Sequence, residues 1–276
     1  MRSKYLRDRF NTSKEELQKL GNEFTNEALP LLDKLYNLTY WILQDKKSTK
    51  KIIQQVFKEA IEDCDITKNE ADWQSWIERI WMREIIEFYE GKENDKNTDF
   101  SFIENFQMEI SSSSTFLTGE TMTKKIVDSL QMLPSILRIP LMMRESAQFN
   151  YEKISDLVDI PIGVAATRIF RARKLLFMYL LDKSNLDKIE HLGMTDDPSK
   201  LIFKYRDCSC QIDNELPEAQ HSTFFLSLQN DQRLMAEFSI QKEVKNLLAN
   251  LIEKKSDVEA IKAKINKRAR KRFSYR

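Results

Sequence analysis

The chain has 276 residues, with 44 Lys and Arg, 43 Asp and Glu, but 5 Gly and 6 Pro. Average composition carries roughly 7% Gly and 5% Pro, so this scarcity points to long helices with few tight turns and argues against collagen-like, disulfide-framework and all-β sandwich classes. The formal net charge of +1 is unevenly spread: residues 262–276 hold eight basic and no acidic side chains, which leaves −7 over the rest.

Length allows about two domains, and 41% hydrophobic content supplies real cores. No stretch approaches the roughly 18 to 20 uncharged apolar residues of a membrane span. The opening segment, MRSKYLRDRFNTSKEELQKL, has charge but no apolar stretch of a secretory signal. Cys64, Cys208 and Cys210 are an odd count, read as reduced thiols in a cytoplasmic protein.

After an N-terminal arm (1–28), the pattern from 29 to 92 is helical. Leu31, Leu32, Leu35, Leu38 and Ile42 recur at three- and four-residue spacing, with Trp41 and Leu43 widening the face. A second stripe joins Ile52, Ile53, Val56, Phe57, Ala60 and Ile61. A third, opened by Asp72 as N-cap, joins Trp73, Trp76, Ile77, Ile80, Trp81 and Ile85. Residues 93–124 break the pattern with KENDKNTDF and SSSSTF, 6 acidic residues against 2 basic, and scattered Phe100, Phe102, Phe106 and Phe116; this is a linker signature. Helical order resumes at about Lys125 and runs to about Leu181. A connector follows to residue 207, and 208–255 holds at least one long helix. The expected fold is all-α.

The stretch QFNYEKISDLVDIPIGVAATRIFRARKLLFMYLL reads as a short helix (Tyr151 to Val158), a tight turn and a long helix beginning near Pro161, because proline suits the first helical turn. On a wheel, Ala165, Ile169, Ala172 and Leu176 cover one arc, while Thr167, Arg168, Arg171 and Lys174 cover the opposite one. A helix with a packed back and a cationic front is the shape a major groove admits. The same pattern fits an ordinary amphipathic helix with arginine on its wet face.

With its lead-in, this stretch closely resembles region 4 of the extracytoplasmic-function (ECF) group of bacterial RNA polymerase sigma factors. The residues carrying the resemblance are Leu133-Pro134, Arg138, Tyr151-Glu152-Lys153-Ile154, Pro161-Ile162-Gly163, Thr167-Arg168 and Arg171-Ala172-Arg173. It implies a helix-turn-helix that reads the −35 promoter element through Thr167, Arg168, Arg171, Arg173 and Lys174. Ala166 stands where the family usually has a basic residue. Residues 29–92 resemble the family's region 2, through Leu35-Tyr36, Trp41-Ile42-Leu43, Ile53-Gln54-Gln55-Val56-Phe57 and Trp76-Ile77 with Ile80. That implies binding of core RNA polymerase, at the β′ clamp helices and the β flap, with Ile53, Gln54, Gln55 and Phe57 on the binding helix. Trp73, Trp76, Arg79 and Arg83 become candidate −10 contacts. Against melting, Lys50-Lys51 replace an acidic cluster, Glu84, Glu87 and Glu90 replace basic residues, and 29–92 sums to 10 basic against 12 acidic. Capture of a single strand relies on a positive groove with stacking aromatics; the tryptophans fit either that role or a core.

Residues 208–252 are similar to the N-terminal domain of anti-sigma factors, which place a short helix, an Asp-Gly/Asn-Glu-Leu turn and two further helices between sigma regions 2 and 4. Asp213-Asn214-Glu215-Leu216 matches the turn, with Phe225, Leu228, Leu234 and Phe238 behind it. The resemblance implies intramolecular contact with regions 2 and 4. The zinc positions of many such domains hold Ser227, Asp231 and Leu234, so no metal is expected, and no cofactor. The tail 256–276 admits three readings: salt-dependent nucleic-acid binding, a solvated end, or attraction to acidic partners.

No glycine-rich phosphate loop or spaced catalytic set accompanies His191 and His221, so no enzyme is expected. The expected function is an ECF-type sigma factor that directs promoter-specific initiation and is regulated in cis by 208–255. The alternative is a degenerate sigma-like protein that binds polymerase or a regulator without initiating transcription.

Overall fold

A computed structural model describes residues 14–62, 72–89, 120–180, 206–252 and 258–274, and every element among them is helical. The fold class is therefore all-α, as the periodicity implies. Most of the acidic linker and of the connector lies outside the described residues, as do Cys64 and His191. No helix among the described residues is long and apolar enough to cross a membrane.

The helices form two compact units. The first combines 1–92 with 254–276, and the second spans 93–253. In the first, helix α1 (Lys14–Glu23) runs through a π-helical turn (Phe24–Ala28) toward α2 (Leu31–Leu43), α3 (Lys46–Glu62) and α4 (Trp73–Tyr89). Gln44 closes α2 in the left-handed region, and Asp45 immediately caps α3 by accepting from the Ser48 and Lys47 amides at 2.7 and 3.2 Å. Asp72 caps α4 through the Ser75 amide, the position expected for it. These caps satisfy amide groups that have no intrahelical partner.

The three apolar stripes meet in one core. Leu32, Leu35, Leu38, Ile42, Ile53, Val56, Phe57, Trp73, Ile77, Trp81 and Ile85 are all buried. Trp81 donates its indole N–H to Thr39 Oγ1 at 2.8 Å, and Thr39 in turn donates to the Leu35 carbonyl. A large aromatic is thus enclosed without leaving its polar end unmet. Phe24 presents its ring to Trp73, at 5.4 Å between centroids and 81° between planes, and lies 6.5 Å from Phe57.

A further helix, packed on α1 and α3, completes this core. It spans Glu259–Phe273 and comes from the basic tail. Ile261, Ile265, Ala269 and Phe273 recur every four residues and are buried, the spacing of one helical face. Phe273 sits 5.9 Å from Phe24. It also approaches Gly21 so closely that a Cβ there would lie 3.2 Å from the Phe273 Cβ, so the absence of a side chain on α1 lets the two helices meet. Lys262 pairs with Asp33 at 3.3 Å and Arg268 with Glu62 at 2.6 Å. Exposed pairs of this kind contribute at most about 1 kcal/mol each, so apolar burial dominates the docking. The reading of a solvated end does not hold for 259–273.

The second unit contains α5 (Glu120–Met132), α6 (Ser135–Ala147), α7 (Tyr151–Val158), α8 (Ile162–Leu180), a helical stretch at 206–212, α9 (Glu218–Asn230) and α10 (Gln232–Leu251); in chain order the Glu259–Phe273 helix is α11. Helix α8 is its axis, packed by α5, α6 and α7 and, separately, by α10.

Because Phe273 fills a site lined by Phe24 and Gly21, Phe273→Ala should destabilise the first unit by about 3 kcal/mol, the cost of truncating a buried Phe. A lower denaturant midpoint and faster amide exchange in α1 are the expected signs.

Candidate nucleic-acid interface

The geometry of the helix-turn-helix follows from local chemistry. Asn150 caps α7 by accepting from the Lys153 amide at 2.8 Å. Asp159 ends the helix in the left-handed region, at φ 55°, a conformation that Asp tolerates better than most residues. Pro161 then receives the Val164 and Ala165 amides on its carbonyl at 2.8 and 3.0 Å, which starts α8. Tyr151 and Ile154 are buried.

Along α8 the environment changes sharply. Pro161, Ile162, Gly163 and Val164 are exposed, and Thr167, Arg168 and Arg171 are half-buried. Thr167 donates its hydroxyl to the Gly163 carbonyl. Burial pushes the Arg168 pKa down. Ala166, where the resemblance places a basic side chain, is buried. From Ala172 to Met178 every residue is buried.

Two of the five expected DNA contacts, Arg173 and Lys174, lie in that sealed half, although Lys174 falls on the wet arc of the helical wheel. Arg173 and Lys174 are fully buried. Arg173 donates to Glu145 Oε1 from Nε at 2.9 Å, to Asp213 Oδ1 at 2.8 Å and to the Ser209 hydroxyl. Lys174 donates to Glu237 Oε1 at 2.5 Å. A helical wheel assigns cations to water because isolated charge belongs there. Buried charge is retained where carboxylates meet it, and the carboxylates come from distant sequence.

Asp213 is the centre of the arrangement. Its carboxylate, 2% exposed, accepts from Arg173, from Lys245 Nζ at 2.8 Å and from the Tyr151 hydroxyl at 2.5 Å. Arg144 stands 3.5 Å away and also donates to the Asp213 carbonyl at 2.6 Å and to Glu215 at 2.9 Å. Three cations and three carboxylates (Glu145, Asp213, Glu215) therefore tie α6, α7 and α8 to the 206–216 segment and α10. The Asp213-Asn214-Glu215-Leu216 turn is held by the Glu215 amide on the Cys210 carbonyl, with Asn214 at φ 58°. Ser209 donates to Gln241, which donates onward to the Phe170 carbonyl.

Charge states follow from this geometry. Burial alone would raise the Asp213 pKa, but the Arg173 charge, with hydrogen bonds from Arg173, Lys245 and Tyr151, holds it well below the usual carboxylate range. Burial likewise opposes the Arg173 charge, and Glu145 and Asp213 outweigh it, so that pKa moves up. For Glu237 burial prevails over Lys174 and raises the pKa. Tyr151 is pushed up by burial and by Asp213. Cys208 and Cys210 are buried and in no disulfide. Burial raises both thiols, Cys210 to about 12, which leaves them chemically quiet.

In the first unit the expected partner contacts divide by exposure. Ile53 and Phe57, expected on the binding helix, are fully buried, whereas Gln54 is exposed and Gln55 half-buried. Trp73 is likewise a core residue. It stacks at 6.2 Å on Trp76, which is half-buried. Arg79 is exposed, and Arg83 is paired with Glu59 and with Glu87. Among the described residues no group of His, Cys, Asp and Glu is placed to hold a metal ion.

The chain is distantly similar to ECF RNA polymerase sigma-E factors. It is 26% identical to those of Escherichia coli (strain K12) and Salmonella typhimurium (strain LT2), and 22% identical to that of Haemophilus influenzae. Each alignment covers 133 residues, 45% of this chain and 70% of the relative. No family model matches the chain.

Removing one partner of a buried pair strands the other, at about 3 to 5 kcal/mol. Asp213→Asn should therefore destabilise the second unit by about that amount at pH 7 in denaturant titrations. The sign with pH follows from the lowered pKa. The stabilisation is complete above the ordinary carboxylate value, about 4, and is lost as pH falls through the lower folded value. Wild type and Asp213→Asn should converge in acid.

Proposed function

We propose that the chain is a promoter-recognition factor of the ECF sigma type whose recognition helix is held in cis by residues 206–252. The observation that carries the reading is the Asp213 network, which joins a helix-turn-helix of sigma-like sequence to a segment of anti-sigma-like sequence. Thr167, Arg168 and Arg171 read the −35 element from the open half of α8. Arginine in the major groove pairs with guanine edges or with phosphates. Lys174 becomes available when Glu237 withdraws, while Arg173 loses Asp213 and keeps Glu145 on α6, so release of 206–252 enlarges the cationic surface from the same helix.

Core RNA polymerase is the partner of the first unit, through the exposed edge of α3 with Gln54 and Gln55, engaging the β′ clamp helices; the β flap is the partner of the second. Trp76 and Arg79 are the remaining candidates for −10 contact. Two observations favour a second reading, in which the protein binds polymerase without opening promoters. Trp73 is committed to the core, and Arg83 is committed to Glu59 and Glu87.

Run-off transcription with core polymerase and a genomic promoter library distinguishes the two. Specific starts, stronger from Asp213→Asn or from a chain ending near residue 183 than from the full chain, are expected. Stable polymerase binding without starts from any of them would establish the second reading instead. Arg168→Ala should weaken promoter duplex binding by about 5- to 150-fold, the range for losing a base contact worth about 1–3 kcal/mol. Unchanged binding would remove Arg168 from the interface.

A further inference from the structure

We propose that the outward face of α11 is a binding surface for the phosphate backbone of nucleic acid, mounted on the first unit. The helix is anchored by its inner face, where Ile261, Ile265, Ala269 and Phe273 are buried. That anchoring turns a basic stretch of sequence into an oriented row. Lys264, Lys267 and Lys271 follow one another at i, i+3 and i+7, a single helical face, and all three are exposed, as is Arg270 beside them. Lys262 and Arg268, at the flanks, pair with Asp33 and Glu62. Among the described residues no carboxylate pairs with Lys264, Lys267, Arg270 or Lys271.

The dimensions fit a polyanion. At 1.5 Å rise per residue, Lys264 to Lys271 spans about 10 Å along the helix, about the axial length of three phosphates on one strand at 3.4 Å each. The face also lacks what a protein partner needs. Protein interfaces centre on aromatic and other large apolar side chains and are depleted in lysine, whereas the exposed residues beside this row are Ala260 and Ala263, with Glu259 at the helix start. Its place on the molecule matters as well. Residues 29–92 carry 10 basic and 12 acidic side chains, so that region holds no surplus of cations with which to attract phosphates. Helix α11 supplies the missing charge from the far end of the sequence. The choice of nucleic acid over another polyanion rests on the reading under Proposed function.

The test uses the full chain and its Lys264→Gln/Lys267→Gln/Arg270→Gln/Lys271→Gln variant, all exposed positions whose replacement leaves the docked face intact. Binding to a short fluorescent duplex of arbitrary sequence, and to a single strand of the same length, is measured between about 50 and 200 mM salt. The slope of log affinity against log salt should shrink in magnitude by about 2 to 3 in the quadruple variant, close to one for each phosphate that is no longer neutralised. Whichever of the two probes is weakened more identifies the strand form. An unchanged slope on both overturns the proposal. So does a chain that binds labelled poly-glutamate through these four residues while its nucleic-acid binding ignores them, since the partner is then an acidic protein. Arg168→Ala separates this inference from the promoter reading. If it abolishes promoter preference while the quadruple variant changes nothing, the promoter reading stands and this surface does not.

Discussion

A buried charge has to be met by opposite charge or by hydrogen bonds, and Asp213 is met by Arg173, Lys245 and Arg144 at once. The cost of taking charge out of water is several kcal/mol per ion, so these groups are committed to one another and to one geometry. Tyr151, opening the first helix of the helix-turn-helix, donates a hydrogen bond from its hydroxyl to the same carboxylate. The network therefore fixes three things together: how α7 meets α8, how the 206–216 segment lies across both, and how α10 packs along the sealed half of α8. Replacing such a network by apolar residues often leaves stability unchanged or higher. Here its contacts hold the 206–216 segment and α10 against α8 in one docked arrangement.

Much of the architecture is legible in residue spacing. The stripe Leu32, Leu35, Leu38, Ile42, the stripe through Val56 and Phe57, and the Asp72 cap all appear where periodicity and capping chemistry put them. So does the short helix, turn and long helix around Pro161. What spacing does not reveal is which polar residues face inward. Lys174 falls on the wet arc of a wheel and is fully buried, because Glu237 arrives from a helix far along the chain. A signal was present. Leu234, Glu237, Gln241, Val244 and Leu248 follow one helical stripe, and a carboxylate and an amide within an apolar stripe mark positions that need buried polar partners. The basic tail carried a similar signal, since Ile261, Ile265, Ala269 and Phe273 recur every four residues and mark a docking face beneath the charge count.

Sequence resemblance and burial answer different questions at the same positions. The Ile53-Gln54-Gln55-Val56-Phe57 motif looks like a binding helix, yet Ile53 and Phe57 are its structural side and Gln54 its accessible one. A motif of five residues on a helix necessarily spans more than one face. Trp73 and Trp76 divide in the same way, one enclosed by Phe24 and the other half open. Candidate contacts drawn from linear motifs are therefore a mixture of residues that touch a partner and residues that hold those in place.

Helix α11 gives the first unit a discontinuous chain: its core is assembled from 14–89 and 258–274, with the second unit inserted between them. During synthesis the sites for Phe273 and Ile265 stand open against α1 and α3 while the entire helix-turn-helix unit is made. Domains generally mature in order of synthesis, but here the unit begun first is finished last. Its Phe24 side stays exposed until the ribosome has released residues beyond 273, and that interval is when a chaperone or another α11-like helix has its chance to bind.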